Sequence, residues 1–186
     1  MLAIEAFTEG LCRIPEKEFT EEGVEAYLRE QRVDPASLAP YLHYASTHYT
    51  RNLIYRGPLF ELMTICWDVG QVSRIHNHAG QRCWMAVPIG RLVVQNYELV
   101  RMDAATGACE ITEADRVVMD PAHPARVRDE RPIHAVLNPL EHAARATSLH
   151  VYSRPYDRCL VYDKERKTYG EVPLFFDSEY GKPVSG

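Results

Sequence analysis

His76 and His78 stand two residues apart in a stretch bounded by Gly70 and Gly90. Side chains alternate across a strand, so histidines at i and i+2 project from one face and can share a metal ion. Imidazole suits zinc, copper, nickel and iron alike, which leaves the ion open. Cys83, five residues on, stands where a further ligand would be sought. In Ala146-Thr147-Ser148-Leu149-His150-Val151-Tyr152-Ser153, the residues Ser148, His150 and Tyr152 also recur with period two. On a strand these three side chains occupy one face. Arg51 offers a planar guanidinium that stays charged and can grip a carboxylate through two parallel hydrogen bonds. Tyr49 shares its face if that segment is extended.

The frame around the histidine pair carries a resemblance. Gly70, five residues, His76-Asn77-His78, four residues, Cys83, six residues and Gly90 are similar to a first cupin motif, with Cys83 where that pattern usually has glutamate. His134 followed by three residues and Asn138 resembles the second motif, although the preceding Pro-x-Gly is absent. The Ser148-x-His150-x-Tyr152 row looks like the relay of the cysteine dioxygenase branch. Tyr49-Thr50-Arg51-Asn52-Leu53 and Tyr156-Asp157-Arg158-Cys159 extend the likeness, which covers Asp34 to Tyr180.

This resemblance implies a mainly β fold, a cupin double-stranded β-helix or jelly-roll barrel with a helical N-terminal segment. It implies iron(II) held by His76, His78 and His134, three neutral imidazoles without a carboxylate. Three protein ligands leave positions open, as a catalytic site requires. The implied substrates are L-cysteine and O2, and the product is a sulfinic acid, the second step of thiol oxidation. Arg51, with Tyr49 beside it, would hold the substrate carboxylate, and Tyr152 would act near the reacting atoms with His150 and Ser148 behind it. Animal members of the family join the equivalents of Cys83 and Tyr152 by a thioether, whereas many bacterial members have glycine at the cysteine position. This chain has both partners, so a crosslinked fraction is expected.

Two departures bear on the substrate. Animal members read Ser-Pro-Pro after the tyrosine, with a cis proline bond, where this chain reads Ser153-Arg154-Pro155. A non-proline cis bond costs about 2.5–4 kcal/mol, so a trans Ser153-Arg154 peptide is expected. Arg154 could then offer a second carboxylate contact. Relatives acting on 3-mercaptopropionate generally have glutamine at the Arg51 position, so Arg51 favours cysteine, while Arg154 keeps 3-mercaptopropionate or another small thiol as the alternative. A non-catalytic cupin that binds a metal or thiol is a further alternative. A cupin-type isomerase would leave Arg51 and the relay row unexplained.

The elements that must position these residues divide the chain into a mainly helical segment over residues 1–55, packed on a barrel over 56–186, within one domain. Thr20 caps a helix over Glu21 to Glu30, whose Val24, Tyr27 and Leu28 have helical spacing. Asp34-Pro35 starts a short second helix that Pro40 should end or kink. Strands are expected over Phe60 to Trp67, Cys83 to Val87, Leu92 to Leu99, Arg116 to Met119, Ser148 to Tyr152 and Leu160 to Tyr162. Turn signals such as Gly90, Pro121, Pro124, Pro132 and Pro139 separate them. His78 and Cys83 are an odd number of residues apart, and a hairpin closing at Gly80 would restore Cys83, Met85 and Val87 to one face.

Composition narrows the classes. The formal net charge is -5 and no basic run occurs, so a nucleic-acid partner has no support. No apolar span reaches the ~20 residues of a membrane helix, and the N-terminus is too short and acidic for a signal peptide. A cytoplasmic monomer is expected. The five cysteines have no paired spacing and read as reduced thiols, with Cys66 and Cys159 as small core residues. His123 and His142 lie in loop contexts and read as solvated; His43 and His48 have no spacing argument.

Overall fold

The computed structural model describes residues 1–122, 125–126 and 132–184; His123 and Pro124 therefore lie outside the described residues. Two α-helices open the chain, α1 (Ile4–Arg13) and α2 (Glu21–Glu30). The strands are β1 (Thr50–Arg56), β2 (Glu61–Trp67), β3 (Ile75–His76), β4 (Arg82–Ile89), β5 (Leu92–Asp103), β6 (Ala108–Met119) and β7 (Ala125–Arg126). After them come β8 (Ile133–Leu137), β9 (Ala146–Ser153), β10 (Arg158–Asp163), β11 (Thr168–Pro173), β12 (Ser178–Glu179) and β13 (Lys182–Pro183). One sheet runs β13-β12-β1-β2-β9-β4-β7, and the other closes in the order β10-β11-β6-β5-β8-β3. The fold is mainly β, a cupin-type jelly-roll barrel with a helical N-terminal segment, as the sequence implies. No helix among the described residues is long and apolar enough to cross a membrane.

The central strands β2 and β9 are buried on both faces, so β2 carries a nearly continuous apolar run after Glu61 while the inner face of β9 keeps its polar row of Ser148, His150 and Tyr152. Leu62, Trp84, Leu149 and Val151 pack outward against Phe7, Leu11, Val24 and Leu28 of the two helices. Met63, Ile65, Trp67, Cys83, Met85 and Tyr152 point inward and form the barrel core. The indole of Trp84 donates to the Glu21 carbonyl at 3.0 Å and Arg82 donates to the Phe19 carbonyl at 3.2 Å, which pins the helical layer to β4.

Thr20 caps α2 as expected, its hydroxyl accepting from the Gly23 amide at 3.2 Å. The Asp34-Pro35 segment is a 3-10 helix over Pro35–Tyr41 that contains Pro40 and ends one residue later. Helix α1 was not expected, although Ile4, Phe7 and Leu11 carry the i, i+3, i+7 spacing and are all buried. Strand β1 begins at Thr50, ahead of the helix-to-barrel boundary expected after residue 55. The hairpin at Gly80 is corrected: β3 pairs with β8 and β10, and β4 pairs with β9 and β7. The turn through Ala79 and Gly80, both at positive φ, carries the chain from one sheet to the other. Gly90 closes β4 at φ +76, where a Cβ would lie 2.6 Å from the Arg145 carbonyl oxygen, so the motif glycine is required there by space as well as by backbone.

Candidate active site

Register places the histidines. His76 on β3 lies directly opposite His134 on β8. His78 follows in the loop, where Asn77 anchors it: the Asn77 carboxamide oxygen accepts from the amides of Ala79 (3.2 Å) and Leu160 (3.1 Å). The ligand atoms of His76, His78 and His134 lie within 4.8 Å of one another. Nδ1 of His76 donates to the Arg74 carbonyl at 2.8 Å, which leaves Nε2 with a free lone pair. His78 Nε2 is buried without a hydrogen-bond partner. An orphaned imidazole nitrogen in a closed cluster is costly unless something binds it, and a divalent cation would. Burial lowers the His76 pKa to about 4 and carries His78 and His134 well below the usual value, with the neighbouring imidazoles adding to the effect. All three are therefore neutral donors. The residues fit a metal ion that accepts three nitrogens.

The opposing wall comes from the first sheet. Ser148, His150 and Tyr152 of β9 are buried and aligned: His150 Nε2 lies 2.8 Å from Ser148 Oγ, and Nδ1 lies 3.0 Å from the Tyr152 hydroxyl. The indole of Trp67 donates to Ser148 Oγ at 2.9 Å. Burial holds the His150 pKa at about 3, so one of its nitrogens carries hydrogen and the other accepts. Ser148 is fully buried and, among the described residues, bonds Trp67 and His150 alone, so its own hydrogen goes to His150 Nε2. Nδ1–H then donates to the Tyr152 oxygen. The phenol hydrogen is left free to point into the site.

Cys83 on β4 pairs with Tyr152 across the strands, and burial pushes its thiol pKa up. Arg51 on β1 has buried Nε and Nη2 atoms without partners, and its guanidinium lies 5.6 Å from the Phe176 ring centroid. Its backbone is clipped by Asp177, which accepts from the Arg51 amide at 2.8 Å and donates its own amide to the Arg51 carbonyl at 2.8 Å. Burial opposes its charge, while Tyr152, Tyr156, Glu61 and Tyr49 around it favour that charge. Tyr49 stacks on Trp67 at 4.6 Å. Arg51 is within electrostatic reach of His76 and His78, which brings the two walls together.

The expected site residues thus converge. Two expectations are corrected. The Ser153-Arg154 peptide is cis, with both residues held: Ser153 Oγ donates to the Leu59 carbonyl at 2.8 Å and the Arg154 amide donates to Gln81 Oε1 at 2.6 Å. The Arg154 guanidinium turns outward to the Pro58 carbonyl and Glu16, so it supplies no second carboxylate contact. His43, His48 and His142 bond Pro40, Asp177 and Arg91 and take no part in the cluster. Three contributors lacked an assigned role in the sequence reading: Trp67, Glu61 and Tyr156. Tyr156 packs edgewise against Tyr152 (5.2 Å) and His78 (6.2 Å). It lies in the Tyr156-Asp157-Arg158-Cys159 segment, but only the fold turns its ring inward.

Residues 14–165 match the family model described as Cysteine dioxygenase type I. Cysteine dioxygenase type 1 of Homo sapiens is 30% identical over 161 residues, covering 86% of this chain and 78% of the relative. The Mus musculus protein of that name is 31% identical over the same coverage, and the Danio rerio one 27% identical over 87% of this chain and 79% of the relative. Among solved structures, a cupin superfamily protein from Desulfitobacterium hafniense DCB-2 is 13% identical, with a TM-score of 0.45 over 67% of this chain and 93% of that one.

Proposed function

We propose that this chain, which belongs to the cysteine dioxygenase type I family, is an iron(II)-dependent thiol dioxygenase that converts L-cysteine and O2 to cysteine sulfinate. The observation that carries the reading is the pairing of a neutral three-histidine donor set with a buried, unpartnered guanidinium on the opposite wall. When bound by His76, His78 and His134, iron(II) supplies a redox-active centre with open positions for a thiolate and for dioxygen. Arg51 supplies two parallel donors for the substrate carboxylate, so the thiol end is held toward the histidines. Such orientation can contribute about 7–11 kcal/mol in favourable cases. Tyr152, with its oxygen held by His150 and its hydrogen free, donates to whatever oxygen or sulfur atom gathers charge beside it. Tyr49, Tyr156 and Trp67 exclude water around these groups. The stoichiometry closes without a reductant: the thiol sulfur loses four electrons, dioxygen gains four, and both oxygen atoms enter the sulfinic acid.

The Cys83–Tyr152 pair supports a second covalent step. A bond between Cys83 Sγ and the ring carbon beside the phenol oxygen removes two hydrogens, with O2 as the oxidant. Their direct opposition in the strand register favours it. A mass lower by two hydrogens in the peptide pair joining Cys83 to Tyr152 after turnover is expected; unchanged masses would remove the crosslink. The free cysteines suit a reducing, cytoplasmic setting, with the protein acting as a monomer.

Dioxygen uptake and sulfinate formation by the iron(II)-loaded protein, with L-cysteine and 3-mercaptopropionate side by side, test the assignment. One sulfinate per dioxygen and a preference for cysteine are expected. Preference for 3-mercaptopropionate would move the substrate, and turnover of neither would leave a metal- or thiol-binding protein.

A further inference from the structure

Glu61 is a buried carboxylate that the proposed reaction does not use. It opens β2 and lies opposite Tyr152 on one side and Arg56 on the other. Its relative exposure is 0%, and neither carboxylate oxygen has a hydrogen-bond partner. Arg56 Nε stands 3.5 Å from Oε2, while the same guanidinium gives its hydrogen bond to Asp157 Oδ1 at 2.6 Å. On the inner side, Glu61 is within electrostatic reach of Arg51, whose Nε and Nη2 are also unpartnered. The groups facing Glu61 are Arg51 and Arg56 from β1, Tyr152 from β9, and Tyr156 and Asp157 from the turn after β9.

The charges decide what this arrangement does. Arg51, Arg56, Asp157 and an ionised Glu61 sum to zero. A carboxylate arriving at Arg51 would leave one uncompensated negative charge in a buried cluster. A proton on Glu61 restores neutrality, and no other acidic side chain in the cluster is enclosed. Burial already lifts the Glu61 carboxyl to about 7, with Arg56 and Arg51 holding it down. Once a ligand carboxylate screens Arg51, the remaining balance favours the proton further.

We propose that Glu61 is a positioning residue that links carboxylate binding at Arg51 to proton uptake, its carboxyl more ionised in the free pocket than in the occupied one. The proposal rests on the substrate reading above for the position of the ligand carboxylate. An ordinary structural partner for Arg56 would show no such linkage.

The test is anaerobic calorimetry of the iron(II)-loaded protein with L-cysteine and with cysteamine, which has the same thiol and amine but no carboxylate. Titrations in two buffers of different ionisation enthalpy give the proton balance. Cysteine should take up more protons than cysteamine, by about half a proton at pH 7 and by more at pH 8, where Glu61 starts ionised. Glu61→Gln should abolish this difference while cysteine still binds, and comparing the variant with wild type cancels each ligand's own proton release. If that variant does not fold, the wild-type comparison at pH 6 and pH 8 decides alone. A difference that is flat with pH, or that survives in Glu61→Gln, overturns the linkage only. Binding of neither thiol overturns the substrate reading and the linkage together.

Discussion

The two walls of the site come from different sheets and are built differently. The closed sheet supplies His76, His78 and His134 from a two-residue strand, the loop after it, and one five-residue strand. The seven-stranded sheet supplies Arg51, Glu61, Cys83 and the Ser148-His150-Tyr152 row from four neighbouring strands of seven or eight residues. The first wall depends on turns and on the anchoring of Asn77; the second depends on strand periodicity and cross-strand register. A site divided in this way separates holding a metal from handling a ligand. Substitutions on one wall should leave the other wall's task intact.

The largest effect is expected on the metal wall. Replacing a residue that merely supports a ligand typically costs 10–100-fold in metal affinity, so His134→Ala, which removes a ligand, should cost more than about 100-fold. Metal content and turnover should vanish together; full iron occupancy in the purified variant would exclude His134 from the ligand set. On the ligand wall, Tyr152→Phe should lower kcat by about 10²–10⁴-fold with iron content unchanged, the range for a positioned proton donor. Loss of iron there would break the division of labour. Arg51→Ala should act mainly on KM, at about 2–5 kcal/mol for truncating a buried charged partner, and should barely affect a thiol without a carboxylate. Equal losses for cysteine and cysteamine would remove the clamp role.

The two walls also differ in how far the sequence reveals them. The β9 row was legible because a fully extended strand carries its periodicity intact, and the structure keeps Ser148, His150 and Tyr152 in hydrogen-bonded line. The His76–His78 pair was legible from its spacing, although His78 lies in the loop after β3 and not on a strand face with His76; the route between the walls was not legible. The turn at Ala79 and Gly80 looks like a local hairpin in sequence, and only long-range pairing sends β4 beside β9. Helix α1 went unseen despite its apolar spacing, because the partners of Ile4, Phe7 and Leu11 lie on distant strands. The Ser153-Arg154 geometry was misjudged for a similar reason: the groups that hold it, Leu59 and Gln81, are remote in sequence. Glu61 was the hardest to read, since an acid at the start of an apolar strand looks like a solvated end. Its burial depends on β1 and on the turn after β9 closing over it.

Glu61 gives the comparison a stability signature. Its folded-state pKa of about 7 lies above the 4.5 of an ordinary carboxyl, so the folded protein binds more protons than the unfolded chain between those values. Stability should therefore be highest below about pH 4.5 as far as this group is concerned, and should fall as pH rises through 7. At about 1.4 kcal/mol per pKa unit, the loss is at most about 3.5 kcal/mol. Urea denaturation of the metal-free protein from pH 5 to pH 8 should show this slope, and Glu61→Gln should flatten it. A slope unchanged in the variant would place the titration elsewhere.

The smallest effect is the one that tests the separation most finely. Ser148→Ala removes the oxygen that takes the Trp67 donor and directs hydrogen to His150 Nε2. The Tyr152–His150 contact survives, but nothing then fixes which imidazole nitrogen carries hydrogen, so the phenol can turn its own hydrogen toward Nδ1 and away from the site. One hydrogen bond of this kind is worth about 0.5–1.5 kcal/mol, so kcat should fall by about 2- to 12-fold, far less than in Tyr152→Phe. Iron content and KM for cysteine should hold, because Ser148 bonds Trp67 and His150 and not His76, His78, His134 or Arg51. If iron content falls with kcat, the row is part of what shapes the metal wall, and the two sheets act as one unit rather than as two.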